Sequence, residues 1–416
     1  MNVLWLSPTP CNAKKILQDK LPIGGWLESL EYELKERKNI NLSVCFFCDK
    51  QIKPFFFEGV HYYPVYRSIP KNKVKALMTR YKHLIFPPKD DVSPFLDVIK
   101  MVNPDVIHIH GSESNYGLIQ CHTDVPCILS IQSIINPYSE KFFSGIPLAE
   151  ASKHERLFDK LILSSAKRQY HMFKKIAKNE KIIYANTKNI MGRTDWDYRI
   201  SRILSPKSRY FHGDEILRPL FYINRWNKTS FSQPLQIVTT MSGGLYKGLE
   251  SVIKTAEILT DYGLKFKWNI IGQSVNDPYV QMNKNWLKVD YNSINIFLMG
   301  RKSADKLVSI LLSSDIFCQV SHIENSPNSL CEAMLLGMPI IATMAGGTDS
   351  LLTNKVDGII VQDGDSYSLA GAILEMSKNF NQASAYGINA YNKAFQRHNQ
   401  TKITDEVIGA YNAIIK

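Results

Sequence analysis

The chain's pattern predicts two successive α/β domains, each built on a doubly wound, mainly parallel sheet, and three observations carry that prediction. Short apolar runs alternate with longer helical patterns along most of the sequence, as βαβ units require. The 416 residues give a length prior of two to three domains at about 150 residues each. A polar stretch without helical periodicity, Phe221–Pro234, divides the runs into two groups and reads as the inter-domain connection.

In the first group the expected strands are Val3–Leu6, Leu42–Phe47, Val106–His110, Cys127–Ile131 and Ile182–Ala185. In the second they are Gln236–Thr240, Lys267–Ile271, Ile294–Leu298, Ile316–Val320, Pro339–Ala342 and Gly358–Val361. The helical pattern returns over Tyr386–Ile415. The predicted domains are 1–224 and 225–391, with a C-terminal helix of about 392–416 packing back on the first.

Composition excludes a disordered, collagenous or disulfide-stapled protein: 44% of residues are hydrophobic and 21% charged. The net charge of +12 is one-sided. Residues 1–225 hold 34 Lys and Arg against 22 Asp and Glu, whereas residues 226–416 hold 16 of each. A field of that kind suits an anionic partner. The seven cysteines are scattered, and Cys45 and Cys48 lie three apart in an apolar strand, so they face opposite sides and read as buried thiols. The N-terminus has no basic leader, and no apolar window approaches the roughly 20 residues of a membrane span. A soluble cytoplasmic or peripheral protein is expected.

The sharpest local feature is His322-Ile323-Glu324-Asn325-Ser326-Pro327-Asn328-Ser329-Leu330-Cys331-Glu332, directly after the strand Ile316–Val320. Ser326 as N-cap with Pro327 at the first helical position predicts a helix whose opening amides, around Asn328, Ser329 and Leu330, face Glu324. Such an end binds phosphate. Two carboxylates beside it suit sugar and ribose hydroxyls; taken alone, Glu332 reads more simply as the partner of a surface lysine and Glu324 as a solvated loop residue. A second feature changes that weighting. The strand Gln236–Thr240 runs into Ser242-Gly243-Gly244-Leu245-Tyr246-Lys247-Gly248, where glycines admit a ligand close to the backbone and Lys247 supplies a point charge for phosphate. Neither a dinucleotide fingerprint nor a Walker pattern is present. In the first domain, Gly24-Gly25 precedes a helix and His110 ends a strand. Both fall where parallel sheets bind ligands, although a lone histidine there is more often structural.

Taken in order, these segments resemble glycosyltransferase family 4, the retaining sugar-nucleotide enzymes of the GT-B fold. The residues that carry the resemblance are Gly24-Gly25, Pro104 to Gly111, Lys247-Gly248, Gly300, Ser314-Asp315, Glu324 to Glu332, Gly337-Met338-Pro339, Gly346-Gly347 and Asp357-Gly358. The resemblance implies two Rossmann-like domains facing across a cleft. It implies that Lys247 neutralises the donor diphosphate, with Gly243, Gly244, Gly300, Asn328, Ser329 and Leu330 lining the donor. It further implies that Glu332 holds the ribose, Glu324 holds the transferred sugar, and His110 and the Gly24-Gly25 backbone approach from the first domain. Retention in this family proceeds by front-face attack, so no catalytic base is named. The resemblance favours UDP as carrier and needs no cofactor.

The chain departs from the family in three places. The arginine usual five positions before the lysine is Ser242, with Arg301 as a substitute cation. The usual Gly-Phe-Gly after the first glutamate is Asn325-Ser326-Pro327. The histidine often found after the next strand is Gln132-Ser133. Asp195-Trp196-Asp197 and Asp363-Gly364-Asp365 have the spacing of a metal-chelating motif without its surroundings, and no metal site is expected. Arg193, Asp195, Trp196, Asp197, Glu215 and Arg218 read as one structural network in the first domain.

The basic excess is concentrated in Lys71–Phe86. There Val74, Leu77, Met78, Tyr81 and Ile85 share one helical face, and Lys71, Lys73, Lys75, Arg80 and Lys82 surround it without an acid. That is the pattern of a helix lying on an anionic membrane; packing of the same face on the sheet is the plainer alternative. Arg168–Lys175 adds a second basic and aromatic patch. The expected protein is a retaining glycosyltransferase, peripheral on the cytoplasmic face of a membrane. It would move a sugar from a nucleoside diphosphate to a lipid-linked or membrane-proximal saccharide in cell-surface polysaccharide assembly. A GT-B epimerase that needs no acceptor, and a basic nucleic-acid binder, are the rival readings. The latter lacks any helix-turn-helix, zinc or RNP signal, and no nucleic-acid partner is expected.

Overall fold

The computed structural model describes residues 1–17, 25–68, 72–85 and 91–415. Among them, eight strands form one sheet: β1 Asn2–Ser7, β2 Asn41–Cys48, β3 Phe55–Phe57, β4 Val60–Tyr66, β5 Val106–His110, β6 Cys127–Ser130, β7 Asn189–Gly192 and β8 Arg209–His212. They lie in the order β3-β4-β2-β1-β5-β6-β7-β8. All neighbours are parallel except β3 and β4, which are joined through Glu58 and Gly59, both at positive φ, as a tight hairpin demands. A second sheet, wholly parallel, has β9 Leu235–Thr240, β10 Phe266–Ile271, β11 Ile296–Gly300, β12 Ile316–Gln319, β13 Ile340–Met344 and β14 Ile359–Gln362. Its order, β11-β10-β9-β12-β13-β14, is the doubly wound arrangement, with its switch point between β9 and β12. In the first sheet the winding reverses between β1 and β5.

The strands read from apolar runs are present, with one error. Ile182–Ala185 is the last turn of a helix, Ala166–Ala185, because Ala177, Glu180, Ile183 and Tyr184 recur at helical spacing and are buried. The strand itself follows as β7. The strands β3, β4 and β8 went unread. Cys45 and Cys48 are buried in separate apolar clusters, the opposite faces of β2.

The chain divides into two compact units. The first is Met1–Asn136, His171–Ile216 and Asn399–Lys416, and the second is Pro137–Tyr170 and Leu217–His398. Three boundaries therefore differ from the sequence division. Residues 137–170 cluster with the second sheet, because Tyr138 and Phe142 pack on Tyr246 and Lys141 pairs with Asp363 at 3.2 Å. The connection after residue 217 belongs to the second unit, where Trp226 donates to the Ser314 carbonyl at 2.8 Å and Lys228 pairs with Asp315. The C-terminal helical region is two helices, Phe380–Arg397 and Gln400–Ile415, and only the second joins the first unit. It is held there by Tyr411, whose hydroxyl accepts from Trp5 Nε1 at 3.0 Å and meets His108 Nδ1 at 2.6 Å.

Among the described residues, no helix is long and apolar enough to cross a membrane. The helix Lys73–Ile85 exists, with Lys75, Met78, Tyr81 and Lys82 exposed. Lys71 and the side chains of Lys73 and Arg80 lie outside what is described.

Candidate active site

In the second unit the switch point brings together the loops after β9 and β12. Lys247 closes a short 3-10 turn after β9, and Gly248 beyond it sits at φ +79, where a Cβ would run into the Val320 carbonyl. Only glycine lets these two loops approach so closely. Lys247 Nζ reaches Glu324 Oε1 at 2.5 Å, and Ser321 Oγ donates to the same oxygen at 2.8 Å. Burial works against the ammonium, but the Glu324 carboxylate outweighs it and holds Lys247 above its ordinary value. Gly346, at φ +62, passes directly under the Glu324 carbonyl, where a Cβ would clash. The neighbouring Gly347 amide donates to that carbonyl at 2.9 Å, so the turn after β13 fixes the Glu324 loop.

The helix behind this loop is Asn328–Leu336, and it starts later than the sequence suggests. Pro327, not Ser326, is the flanking residue, and the Ser326 hydroxyl lies 3.7 Å from Cys331 Sγ. The Leu330 amide closes on the Pro327 carbonyl at 2.9 Å, which leaves the amides of Asn328 and Ser329 outside the intrahelical ladder. Glu332, one turn further, is buried, and its partner is neither a surface lysine nor solvent. Arg218 forks onto it, Nε to Oε1 and Nη2 to Oε2, both at 2.7 Å. Burial pushes the Glu332 carboxyl up and Arg218 pulls it back, with burial the larger.

Sequence reasoning missed a chain of charges behind Lys247. His322 Nε2 meets Glu250 Oε1 at 2.6 Å, and its Nδ1 faces Asp363 Oδ2 at 3.4 Å. The His322 amide donates to the Tyr246 carbonyl at 2.9 Å, tying this group to the residue before Lys247. Burial alone would discharge the imidazole, but Glu250 and Asp363 hold its pKa up. The signal was present, since His322 opens the motif after β12, but the sequence does not show that Glu250 and Asp363 converge on it. Gln273 also went unnoticed. Its Nε2 holds the Ser242 carbonyl at 2.9 Å, and its own carbonyl accepts from the Gly300 amide at 2.8 Å. Gly243 and Gly244 lie in the loop so tethered, and Arg301 is exposed just past β11.

In the first unit His110 is fully buried, edge-on to Trp5 and Trp26 and 3.9 Å from the His108 ring. Among the described residues, neither ring nitrogen has a hydrogen-bond partner. Burial, then His108 and Arg193, hold its pKa well below the ordinary imidazole value, so His110 is neutral and enclosed. Gly25 precedes the helix Trp26–Lys35; Gly24 lies outside the described residues. The network read around Arg193 is split. Arg193 stacks on Trp26 at 4.1 Å and meets Glu215 at 3.5 Å, whereas Arg218 belongs to the second unit. Asp195 and Asp197 open the helix Asp195–Leu204. Asp197 is its capping carboxylate, accepting from the Arg193 amide at 2.8 Å and from Tyr210 at 2.6 Å. Asp365 is itself the N-cap of the helix Ser366–Ser377, its side chain accepting from the Ser368 amide at 2.9 Å. Asp197 and Asp365 are thus accounted for by helix ends, Asp363 by Lys141 and His322 and Asp195 by Arg199 at 3.7 Å.

Residues 223–393 match the family model of the glycosyl transferases group 1. That span is the second unit's sheet with the Lys247, Glu324 and Glu332 segments. The chain is 28% identical over 157 residues to the amylovoran biosynthesis glycosyltransferase AmsK of Erwinia amylovora, covering 36% of this chain and 38% of that protein. It is 24% identical over 170 residues to the capsular polysaccharide biosynthesis glycosyltransferase CapM of Staphylococcus aureus, covering 41% and 44%. The matches thus span about two fifths of the length of these relatives. Among solved structures, a sucrose-phosphate synthase from Thermosynechococcus elongatus superposes with a TM-score of 0.70 at 13% identity, covering 99% of this chain and 98% of that one. HepE of Anabaena, solved with UDP and glucose, superposes with a TM-score of 0.60 at 13% identity and 99% coverage of both chains. The fold is GT-B.

Proposed function

We propose that this protein is a retaining, metal-independent glycosyltransferase. It moves a sugar from a UDP-type donor to a lipid-linked or membrane-proximal saccharide in cell-surface polysaccharide assembly. The observation that carries the reading is the pairing of Lys247 with Glu324 at the switch point of the second sheet, in the loop that leads into the helix Asn328–Leu336. A cation and a helix start meet a diphosphate there, and a carboxylate meets sugar hydroxyls. The group 1 family match, the relatives in amylovoran and capsular polysaccharide biosynthesis and the UDP-bound HepE neighbour support it. Lys247 and the helix start hold the diphosphate, and Glu332, kept rigid by Arg218, offers its remaining lone pairs to the ribose. The bond from the sugar's anomeric carbon to the β-phosphate oxygen breaks as the bond to the acceptor oxygen forms on the same face. The acceptor's proton passes to the departing phosphate oxygen. Glu324 steadies the positive character that develops on the sugar.

A thermal-shift panel of UDP- and GDP-sugars tests this. The true donor, at 100 times its dissociation constant, stabilises the protein by about 2.7 kcal/mol, and a flat response across the panel removes the central claim. Turnover proceeds undiminished in EDTA; loss restored by Mg²⁺ or Mn²⁺ refutes metal independence.

A further inference from the structure

The second unit has a surface that the site does not use, at the corner formed by the helices Leu148–His154 and Leu157–Leu161. Leu157 is 71% exposed, Phe158 63% and Leu161 59%, three large apolar side chains on one short helix. A cluster of this kind on an otherwise polar surface marks an interaction site. The charges around it are sorted by sign. Lys153, Arg156, Lys160 and Lys167 are exposed, whereas none of the three acids of residues 148–168 is. Asp159 is buried beneath Arg156, which donates to it at 2.8 Å. Glu155 accepts from the Ala166 amide, and Glu150 faces His154 at 3.2 Å. The corner is also firmly built. The Ile162 amide bonds the Phe158 carbonyl at 3.0 Å, the Ser164 amide bonds the Asp159 carbonyl at 2.8 Å, and Lys160 Nζ reaches the Ser152 carbonyl at 2.6 Å.

We infer that this corner inserts Leu157, Phe158 and Leu161 into the interface of an anionic membrane, with the surrounding lysines at the headgroup level. Charge complementarity selects this occupant. An apolar tip ringed by exposed lysines, with Asp159 buried and Glu150 and Glu155 only partly exposed, meets lipid acyl chains and anionic headgroups together. Lysine stems reach along apolar surface while their heads stay in water. A protein interface, by contrast, is depleted in lysine. The surface belongs to the second unit and the helix Lys73–Ile85 to the first, and the inference stands or falls without the membrane role expected of that helix.

The test is co-sedimentation of the full chain with vesicles of phosphatidylcholine alone and with phosphatidylglycerol added. The wild type binds the anionic vesicles. The variant Leu157→Ser/Phe158→Ser/Leu161→Ser binds them at least about tenfold more weakly, with an unchanged thermal midpoint because these side chains are already exposed. A second variant, Lys75→Gln/Lys82→Gln, probes the other helix, and the serine effect persists in its background. Equal binding by wild type and the triple-serine variant overturns the inference, as does a wild type that ignores anionic vesicles. A wild-type dimer in light scattering that the serine variant converts to monomer overturns it too, by assigning the patch to a second copy.

Discussion

Two carboxylates that look alike in the sequence have different duties because they have different neighbours. Glu332 is gripped through both oxygens by Arg218, and a bidentate pair of this kind fixes its plane as well as its charge. Removing one partner of a buried pair is costly, so Arg218→Ala lowers the unfolding free energy by about 3 kcal/mol at neutral pH. The loss shrinks as pH falls towards the carboxyl range and Glu332 takes up a proton, a trend that urea melts at several pH values read directly. Glu324 instead holds Lys247 at 2.5 Å, so on the proposed reading a donor diphosphate takes over a cation already in place. Lys247→Ala weakens donor binding by about ten- to a hundredfold, the worth of one charged hydrogen bond in a desolvated site. Glu324→Gln leaves donor binding intact, since it frees Lys247, and lowers turnover. Calorimetry beside initial rates separates the two, and equal loss in both quantities for Glu324→Gln contradicts the assignment.

At the scale of elements, the loops after β9, β12 and β13 are locked to one another by backbone contacts that only glycine permits. The C-terminal helix Gln400–Ile415 is held differently, by apolar packing of Ile403, Val407 and Tyr411 and by one polar node. There the Tyr411 hydroxyl joins Trp5 and His108, and His108 Nε2 meets Ser130 Oγ at 2.5 Å. A neutral imidazole has one donor and one acceptor nitrogen, so it satisfies both hydroxyls at once. Tyr411→Phe strands the indole N–H and the imidazole Nδ1 in a buried site and costs about 1–3 kcal/mol. Hydrogen exchange shows the loss first as faster exchange in the C-terminal helix. Much of the element level was legible: among the described residues, the apolar runs found four of the eight strands of the first sheet and all six of the second, and the motif residues fell at their carboxyl ends. The segment 137–170 was not, because its attachment to the second unit depends on Tyr246 and Asp363, which lie far along the chain.

At the scale of the whole molecule, two histidines give the two units opposite responses to acid. His108, in the first unit, is pushed by burial, and then by Arg193, down to about 3. The folded state therefore binds fewer protons than the unfolded one between about pH 3 and the ordinary value of 6.5. This unit loses stability as pH falls through that window. His322, in the second unit, has its pKa raised by Glu250 and Asp363. Its contribution is fully present below pH 6.5 and is lost as pH rises through the elevated value. Hydrogen exchange at pH 5 and pH 8 reads both: protection of the first sheet increases with pH, and His322→Gln flattens the pH dependence of the second. A first unit insensitive to acid contradicts the His108 assignment.

The sequence by itself determined the α/β class, the two sheets, the strand-to-helix turns that carry Lys247 and Glu324, and the one-sided charge. These follow from local periodicity, from glycine at turns and from composition, which need no long-range contact. The folded structure decided that Glu332 belongs to Arg218, that His322 is clamped between two carboxylates, that His110 lies buried against Trp5 and Trp26, and that Asp197 and Asp365 serve helix ends. It also decided that the apolar residues of Leu157–Leu161 face outward. Burial and pairing are set by which distant segments the folded chain brings together, and a residue's neighbours along the chain do not specify its neighbours in space.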